Sequence, residues 1–410
     1  MTASALREPP SRVICIGDIH GNIQELTSLY ENLISEIGQP EVDAATFCFL
    51  GDYCDRGPDT KAVLDWLIDF RNDRAQDSAK GEAHFICGNH DFAMAAYLGA
   101  LPKESTEDFD LDSTIPSQFP DGYWQHDVPN GMHFQGRRWG GAHIYQSRQT
   151  FESYGVKFSS HKKETREQLL NAVPSSHKEF LSSLEWVADF DVSFQPGRMV
   201  CVHAGLQQTD VEKQLKGLKS KKLNEAALFE KGNPGRLAPF SGRKTVKKMP
   251  TELKGKCLLV SGHHGHNQIE KERIIFDQSG GMPTKRRPLQ ALVFPERKII
   301  SCSYFMNKSA AALRREQLDE QLYQWSKAQS SVDSDEKKEI VRQAIMENVP
   351  SHRPAWEMVL VSRISEFAYE KDNFLPSSDD IVESLSALAS EGVLTLTTDR
   401  NDRNLYQLAG

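Results

Sequence analysis

Short apolar runs that stop abruptly in polar loops organise most of this chain. VICIG runs into Asp18-Ile19-His20-Gly21, FCFLG into Asp52-Tyr53-Cys54-Asp55-Arg56-Gly57, and HFICG into Asn89-His90-Asp91. MVCV runs into His203-Ala204-Gly205, and CLLVSG into His263-His264-Gly265-His266. Runs of this length, rich in β-branched and aromatic residues and stopped by Gly or His, predict strands meeting loops. Between the first three lie NIQELTSLYENLISEI and TKAVLDWLIDFRND, whose apolar residues recur at helical spacing. Strands alternating with helices predict an α/β layout, with ligands at the carboxyl ends of the strands. PLQALVFP and KIISCSY predict two more strands that close a large domain near Tyr304.

Two stretches break this pattern. Residues 101–160 are rich in Pro, Gly, Asp and aromatics and are too long for an idle connection, so they read as a functional insert. Residues 206–250 carry two basic clusters, one from Lys216 to Lys222 and one from Arg243 to Lys248. After Tyr304 the texture changes. AALRREQLDEQLYQWSKAQ predicts an amphipathic linker helix within 306–336. Within 337–410, three helix-like segments and a terminal hairpin resemble a winged-helix module. One of the three is AWEMVLVSRISEFAYE. The expected organisation is therefore a catalytic domain over 12–305, a linker helix, and a small C-terminal module.

Length agrees, because 410 residues exceed what one hydrophobic core usually organises. With 39% hydrophobic and 26% charged residues the composition is that of an ordinary globular protein. No apolar run is long enough to span a bilayer, and MTASALREPPSR lacks the apolar segment of a signal peptide. A cytoplasmic location, with the nucleus as a further one, is expected. Five of the seven cysteines sit in the apolar runs, and no CxxC pair occurs, which predicts reduced core thiols. Cys54, inside the charged loop, reads as a small filler. The net charge of −8 argues against nucleic acid as a partner. Residues 306–410 hold 12 Lys+Arg and 18 Asp+Glu, so 12 − 18 = −6 of that charge belongs to the tail.

The polar residues at the five strand ends are Asp18, His20, Asp52, Asp55, Arg56, Asn89, His90, His203 and His263. Buried together without a partner, these carboxylates and imidazoles would cost several kcal/mol each. One solvated turn explains one such ending; five in a row call for a pair of divalent metal ions. Oxygen and imidazole donors without thiolate suit Mn, Fe or Zn.

GDIHG, GDYCDRG and GNHD, followed by HAG and GH, resemble the signature of the PPP superfamily of metallophosphoesterases over roughly residues 12–305. The resemblance implies an α/β fold, a metallophosphatase β-sandwich flanked by helices. It implies that Asp18 and His20 hold one metal, that Asp52 bridges two, and that Asn89, His203 and His263 hold the second. Arg56 and Asn89 would contact phosphate, with Arg243 in FSGRKTV as the further phosphate-binding arginine. His90 would protonate the leaving oxygen, oriented by Asp55, and hydroxide bridging the metals would attack phosphorus directly. In SGHHGH, His264 and His266 are alternatives to His263.

The chain departs from the eukaryotic Ser/Thr branch, which reads LRGNHE where this chain reads ICGNHD. SGHHG, SGRK, SRQTFESYG and RRWGG make it similar to the Rhizobiales-like, bacterial-type subfamily of plants and protists. That likeness implies a preference for phosphotyrosine, with Phe119, Tyr123, Trp124, Phe134 and Trp139 of the insert as candidate pocket walls. The expected partner is a phosphorylated protein or peptide, with no membrane and no nucleic acid, and the C-terminal module would dock a protein. The alternatives are a dinucleoside polyphosphate hydrolase and a Ser/Thr phosphatase.

Overall fold

The computed structural model describes residues 8–303, apart from 108, 116–123, 125–127, 129–130, 141–143, 160–161, 231–232 and 278–286. Beyond 303 it describes 355–356, 389–390, 394–398 and 404–408. Two five-stranded sheets form the centre of the larger unit. The first contains β1 (Val13–Ile16), β2 (Thr46–Phe49), β3 (Ala83–Phe85), β9 (Gln290–Phe294) and β10 (Lys298–Ser301), in the order β10-β9-β1-β2-β3. The second contains β4 (Ala188–Asp191), β5 (Arg198–Cys201), β6 (Leu258–Ser261), β7 (Gln268–Ile269) and β8 (Arg273–Ile275), in the order β4-β5-β6-β8-β7. The fold is mixed α/β, two sheets flanked by helices, as the metallophosphatase fold requires.

The alternation of side chains explains why both sheets are buried on both faces. Val13, Cys15, Cys48, Met199, Cys201, Leu258 and Val260 meet in a core between the sheets. Ile14, Ile16, Phe47, Phe49, Val200 and Leu259 belong to the core formed with the helices. β1 and β2 are parallel, with Cys15 opposite Cys48. All seven cysteines are buried thiols outside any disulfide. Burial and the neighbouring Asp91 push the Cys54 thiol well up, so it is an inert filler.

Helices α1 (Ile23–Ile37), α2 (Thr60–Gln76) and α3 (Asn89–Leu98) follow the first three strands. Asp59 caps α2 by accepting from the Ala62 N–H at 2.9 Å. β3 ends earlier than HFICG suggests. The Ile86 N–H still donates to Phe49 O of β2, but Ile86 already bridges to Glu185, and the Cys87 N–H turns to Glu185 O. The insert folds around two short helices, α4 (Phe134–Trp139) and α5 (Arg148–Ser153), and α4 packs on α3.

In the smaller unit, Leu394–Thr398 pairs antiparallel with Asn404–Leu408, and Ala355–Trp356 joins the latter. Ala355 and Trp356 open AWEMVLVSRISEFAYE, a stretch that reads as helix from its spacing, yet they form a strand. The linker helix within 306–336 and most of the three helices read in 337–410 lie outside the described residues, as does Tyr304.

Arg74 fastens α2 to the sheet. Its buried guanidinium donates to the carbonyls of Val42 (2.6 Å), Gly81 (2.7 Å), Ala45 (2.9 Å) and Asp43 (3.2 Å). It also stands 4.5 Å from the Phe47 ring centroid. Arg74→Met would take this donor from the carbonyls of Val42, Ala45 and Gly81 beneath an apolar stem, while Asp43 O keeps the Gly81 N–H. The expected loss is roughly 2–4 kcal/mol of unfolding free energy, read from urea denaturation. A loss below about 0.5 kcal/mol would mean that water replaces the guanidinium.

Candidate metal centre and active site

The five strand-end loops converge. Ligand-capable atoms of His20, Asp52 and His90 lie within 4.8 Å of one another, and so do those of Asp52, His203 and His263. Asp52 belongs to both groups. Its Oδ2 is 3.3 Å from His203 Nε2 and 3.7 Å from His20 Nε2. Asp18 joins from β1, with Oδ2 3.9 Å from His20 Nε2 and Oδ1 accepting from the His263 N–H at 3.0 Å. Asn89 Oδ1 lies 3.2 Å from His203 Nε2.

Backbone contacts orient this set. His20 Nδ1 bonds Cys54 O at 2.8 Å, and His203 Nδ1 bonds Leu50 O at 2.7 Å. Both rings therefore carry the proton on Nδ1 and turn Nε2 inward. His20, Asp52, Asp55, Arg56 and His263 all have positive φ, between 48° and 72°. Non-glycine residues rarely take this conformation, so strain is concentrated in the ligand loops. Gly88 and Gly262 make the approach possible: a Cβ would overlap the Asp52 carboxylate at the first and Asp18 Oδ1 at the second.

The loop after β2 is held from beneath by Asp91. Its carboxylate accepts from the backbone N–H groups of Asp52 (2.8 Å), Tyr53 (2.9 Å), Gly88 (2.9 Å) and Cys54 (3.3 Å). Burial and Asp52 raise the Asp91 carboxyl to about 6, although these donors favour its anion.

The electrostatics fit a cation site. Burial and the neighbouring Asp277 push Asp18 well above the carboxylate range. Burial also disfavours the Asp52 anion, but His203 and His90 outweigh it and hold Asp52 well below that range. His203 is the counterpart: burial opposes its charge, while Asp52 and Asp18 raise it to about 10. Burial and then Arg56 lower His20 to about 3, leaving it in the neutral form that binds metals. Burial and Arg243 lower His263 likewise, and its buried Nε2 has no hydrogen-bond partner. Buried carboxylates facing inward-turned imidazoles, one of them orphaned, match a donor set for divalent metal.

His90, a member of the first group, also forms a buried pair, with its Nδ1 2.7 Å from Asp55 Oδ2. Arg56 Nη1 donates to His20 Nε2 at 3.2 Å. Arg243 is half-buried and donates to His263 O at 3.0 Å, so it too borders the cluster. The other two histidines of SGHHGH turn to carbonyls, His264 Nε2 to Ala204 O and His266 Nδ1 to His264 O, each at 2.8 Å.

The candidate aromatic wall comes out differently. Trp124, Phe134 and Trp139 are buried in packing, while Phe119 and Tyr123 lie outside the described residues. Tyr145, which the sequence did not single out, also lies against the site. Its ring stands edge-on to His90 at 4.8 Å. Asp91 was legible only as the third residue of a helix start, where acids cap backbone N–H groups. Nothing local could have revealed Tyr145.

Residues 11–279 match the family described as Calcineurin-like phosphoesterase. An 86-residue stretch is 29% identical to the zinc-dependent endopolyphosphatase of Saccharomyces cerevisiae, over 21% of this chain and 22% of that protein. The chain thus matches about a fifth of the length of that curated relative. Two solved chains are similar. One, described as a putative diadenosine tetraphosphatase, is 17% identical, covering 72% of this chain and 95% of that one, with a TM-score of 0.38. The other, the cold-active protein-tyrosine phosphatase of a psychrophilic Shewanella species, is 14% identical, covering 72% and 80%, with a TM-score of 0.38.

Asp91→Asn would set an amide NH2 against backbone N–H donors and release the loop that carries Asp52. Affinity for divalent metal should fall roughly 10- to 100-fold in a calorimetric titration, with the circular dichroism spectrum retained. Wild-type affinity would reduce Asp91 to a helix cap.

Proposed function

The chain belongs to the calcineurin-like phosphoesterase family, and within it we propose a di-metal phosphoprotein phosphatase of the PPP type that hydrolyses phosphomonoesters and prefers phosphotyrosine. Its nearest subgroup in this reading is the Rhizobiales-like one. The observation that carries the proposal is the sharing of Asp52 between two ligand groups, with the His90–Asp55 pair alongside.

In this reading Asp18, His20 and Asp52 hold one divalent ion, and Asp52, Asn89, His203 and His263 hold the other. The donors suit Mn, Fe or Zn. Bound there, such a pair supplies Lewis acidity and lowers the pKa of water. The chain's own groups do the rest. Arg56, with Asn89 and Arg243, grips phosphate oxygens, where a guanidinium fork matches the geometry. His90 differs from the other site imidazoles whose Nδ1 contacts are known. His20 and His203 bond carbonyls, whereas His90 bonds a carboxylate, the partner that stabilises an imidazolium. We therefore assign it to protonate the departing oxygen. The Tyr145 ring beside His90 supports an aryl ester, because it offers an apolar edge where a phenyl leaving group would lie.

Among the described residues no helix is long and apolar enough to cross a membrane. The proposed partner is a phosphorylated protein, with the acidic C-terminal module as its docking element. Deleting 305–410 should leave turnover of para-nitrophenyl phosphate intact and lower kcat/KM on a phosphoprotein. Equal activity on both would remove docking from the module.

The catalytic assignments separate by experiment. Asp52→Asn should lose bound metal and nearly all turnover; wild-type metal content and rate would end the di-metal reading. His90→Asn should keep its metal and lose roughly 10²–10⁴ in kcat on phenyl phosphate, and far less on para-nitrophenyl phosphate, whose leaving group needs no proton. Loss of metal from this variant would make His90 a ligand instead. Turnover of phosphotyrosyl and phosphothreonyl peptides and of diadenosine tetraphosphate decides the substrate class; the dinucleotide outpacing both peptides would replace the phosphatase reading.

A further inference from the structure

The carboxylate behind His90 is gripped by two residues of the insert. Trp139, at the end of α4, donates its indole N–H to Asp55 Oδ2 at 2.8 Å. Thr150, in α5, donates its hydroxyl to Asp55 Oδ1 at 2.7 Å. The Asp55 N–H in turn donates to Thr150 Oγ1 at 3.1 Å. A hydroxyl has one proton to give. Thr150 spends it on Asp55, so Thr60 must be the donor in the 2.9 Å Thr60–Thr150 contact. Trp139 and Thr150 are fully buried. The indole is wedged between Tyr97, at 4.9 Å, and Phe151, stacked at 5.2 Å. Tyr97 lies on α3, the helix that begins with Asn89 and His90.

We propose that Trp139 and Thr150 are positioning residues for the His90–Asp55 pair, so that the insert sets the aim of the proton donor. The proposal rests on the reading of His90 as the general acid. Asp55 stands in a left-handed conformation at φ 72°, one that the local chain does not favour. With both oxygens and its N–H engaged by the insert, its carboxylate has one orientation. It then receives His90 Nδ1–H, and Nε2–H faces the substrate. As the ester P–O bond breaks, its electron pair stays on the leaving oxygen, which takes the Nε2 proton and leaves His90 neutral. The attacking water's oxygen forms the new bond to phosphorus as that water gives up one proton to solvent, and the Nδ1–H stays on His90, hydrogen-bonded to Asp55. Removing either insert donor lets the carboxylate turn and misaligns this transfer without touching the metal ligands.

Trp139→Phe keeps the ring packing and deletes the N–H. Measured in the full chain with metal, kcat on phenyl phosphate should fall about five- to tenfold, the worth of one buried hydrogen bond. KM should hold, and para-nitrophenyl phosphate should lose less than about twofold, because its leaving group needs no proton. Thr150→Val should give the same split and decides the matter if the Phe variant does not fold. Added to Asp55→Asn, neither change should cost more than about twofold, since the group they position is gone. The His90 Nδ1–H proton resonance should move in both single variants. Equal losses on the two esters, no loss, or full additivity with Asp55→Asn would overturn the proposal and leave the insert donors as packing. If His90→Asn shows the split and Trp139→Phe does not, only this proposal falls; if His90→Asn shows none, the acid reading falls and takes this one with it.

Discussion

Every polar atom of Asp52 is committed, and the commitments reach several strand ends. Its carbonyl accepts from Ile19 and His20 after β1, and its N–H goes to Asp91 after β3. Oδ1 takes the His90 N–H at 2.9 Å, and Oδ2 faces His203 after β5. One residue thus gathers the carboxyl ends of the first sheet and holds the end of β5 from the second against them. The cost is a left-handed backbone at φ 54° and a carboxylate almost fully removed from water. That carboxylate does not stand alone, because His203 Nε2 faces Oδ2 at 3.3 Å and His20 Nε2 at 3.7 Å. The neighbouring glycines follow from the same packing: at Gly88 any side chain would enter the space of Asp52.

Most of this was legible in the chain. Each strand end announced itself because a β-branched run met a charged loop at once, and the repetition of that join across five strands carried the inference. Helices α1 and α2 followed from their spacing. What escaped has a common cause. β4, β7 and β8 are two to four residues long, too short for a period to register. Ala355 and Trp356 open a stretch of helical spacing but pair as an edge strand. The Trp139–Asp55 bond spans 84 positions, and no local pattern marks it. Trp139 drew notice as an aromatic in a glycine-rich insert, a cue that cannot tell a pocket wall from a buried donor. Of the three imidazoles in SGHHGH, it is His263 whose ring nitrogen falls within 4.8 Å of ligand atoms of Asp52 and His203.

The insert therefore has two faces toward the chemistry. The Tyr145 ring stands perpendicular to His90, with centroids 4.8 Å apart, while Trp139 and Thr150 bond the Asp55 carboxylate. Gln135 couples the first of these to the body of the insert, because its Oε1 accepts from Tyr145 (2.6 Å) and Arg138 (3.0 Å) while its amide reaches Gly235 O (2.5 Å). A segment built only to choose substrates could vary freely while the metal loops did the chemistry. This one cannot, because α4 carries the Asp55 donor and packs on α3, the helix that carries His90. A change that opened the Tyr145 wall by shifting α4 would also turn the Asp55 carboxylate. Under the proposed function, substrate fit and proton delivery would then be mechanically linked. Among the described residues the stretch before α4 is tied to it as well, because Thr114 Oγ1 accepts from the Phe134 N–H at 3.0 Å and Asp112 Oδ1 from Arg137 Nη2 at 2.9 Å.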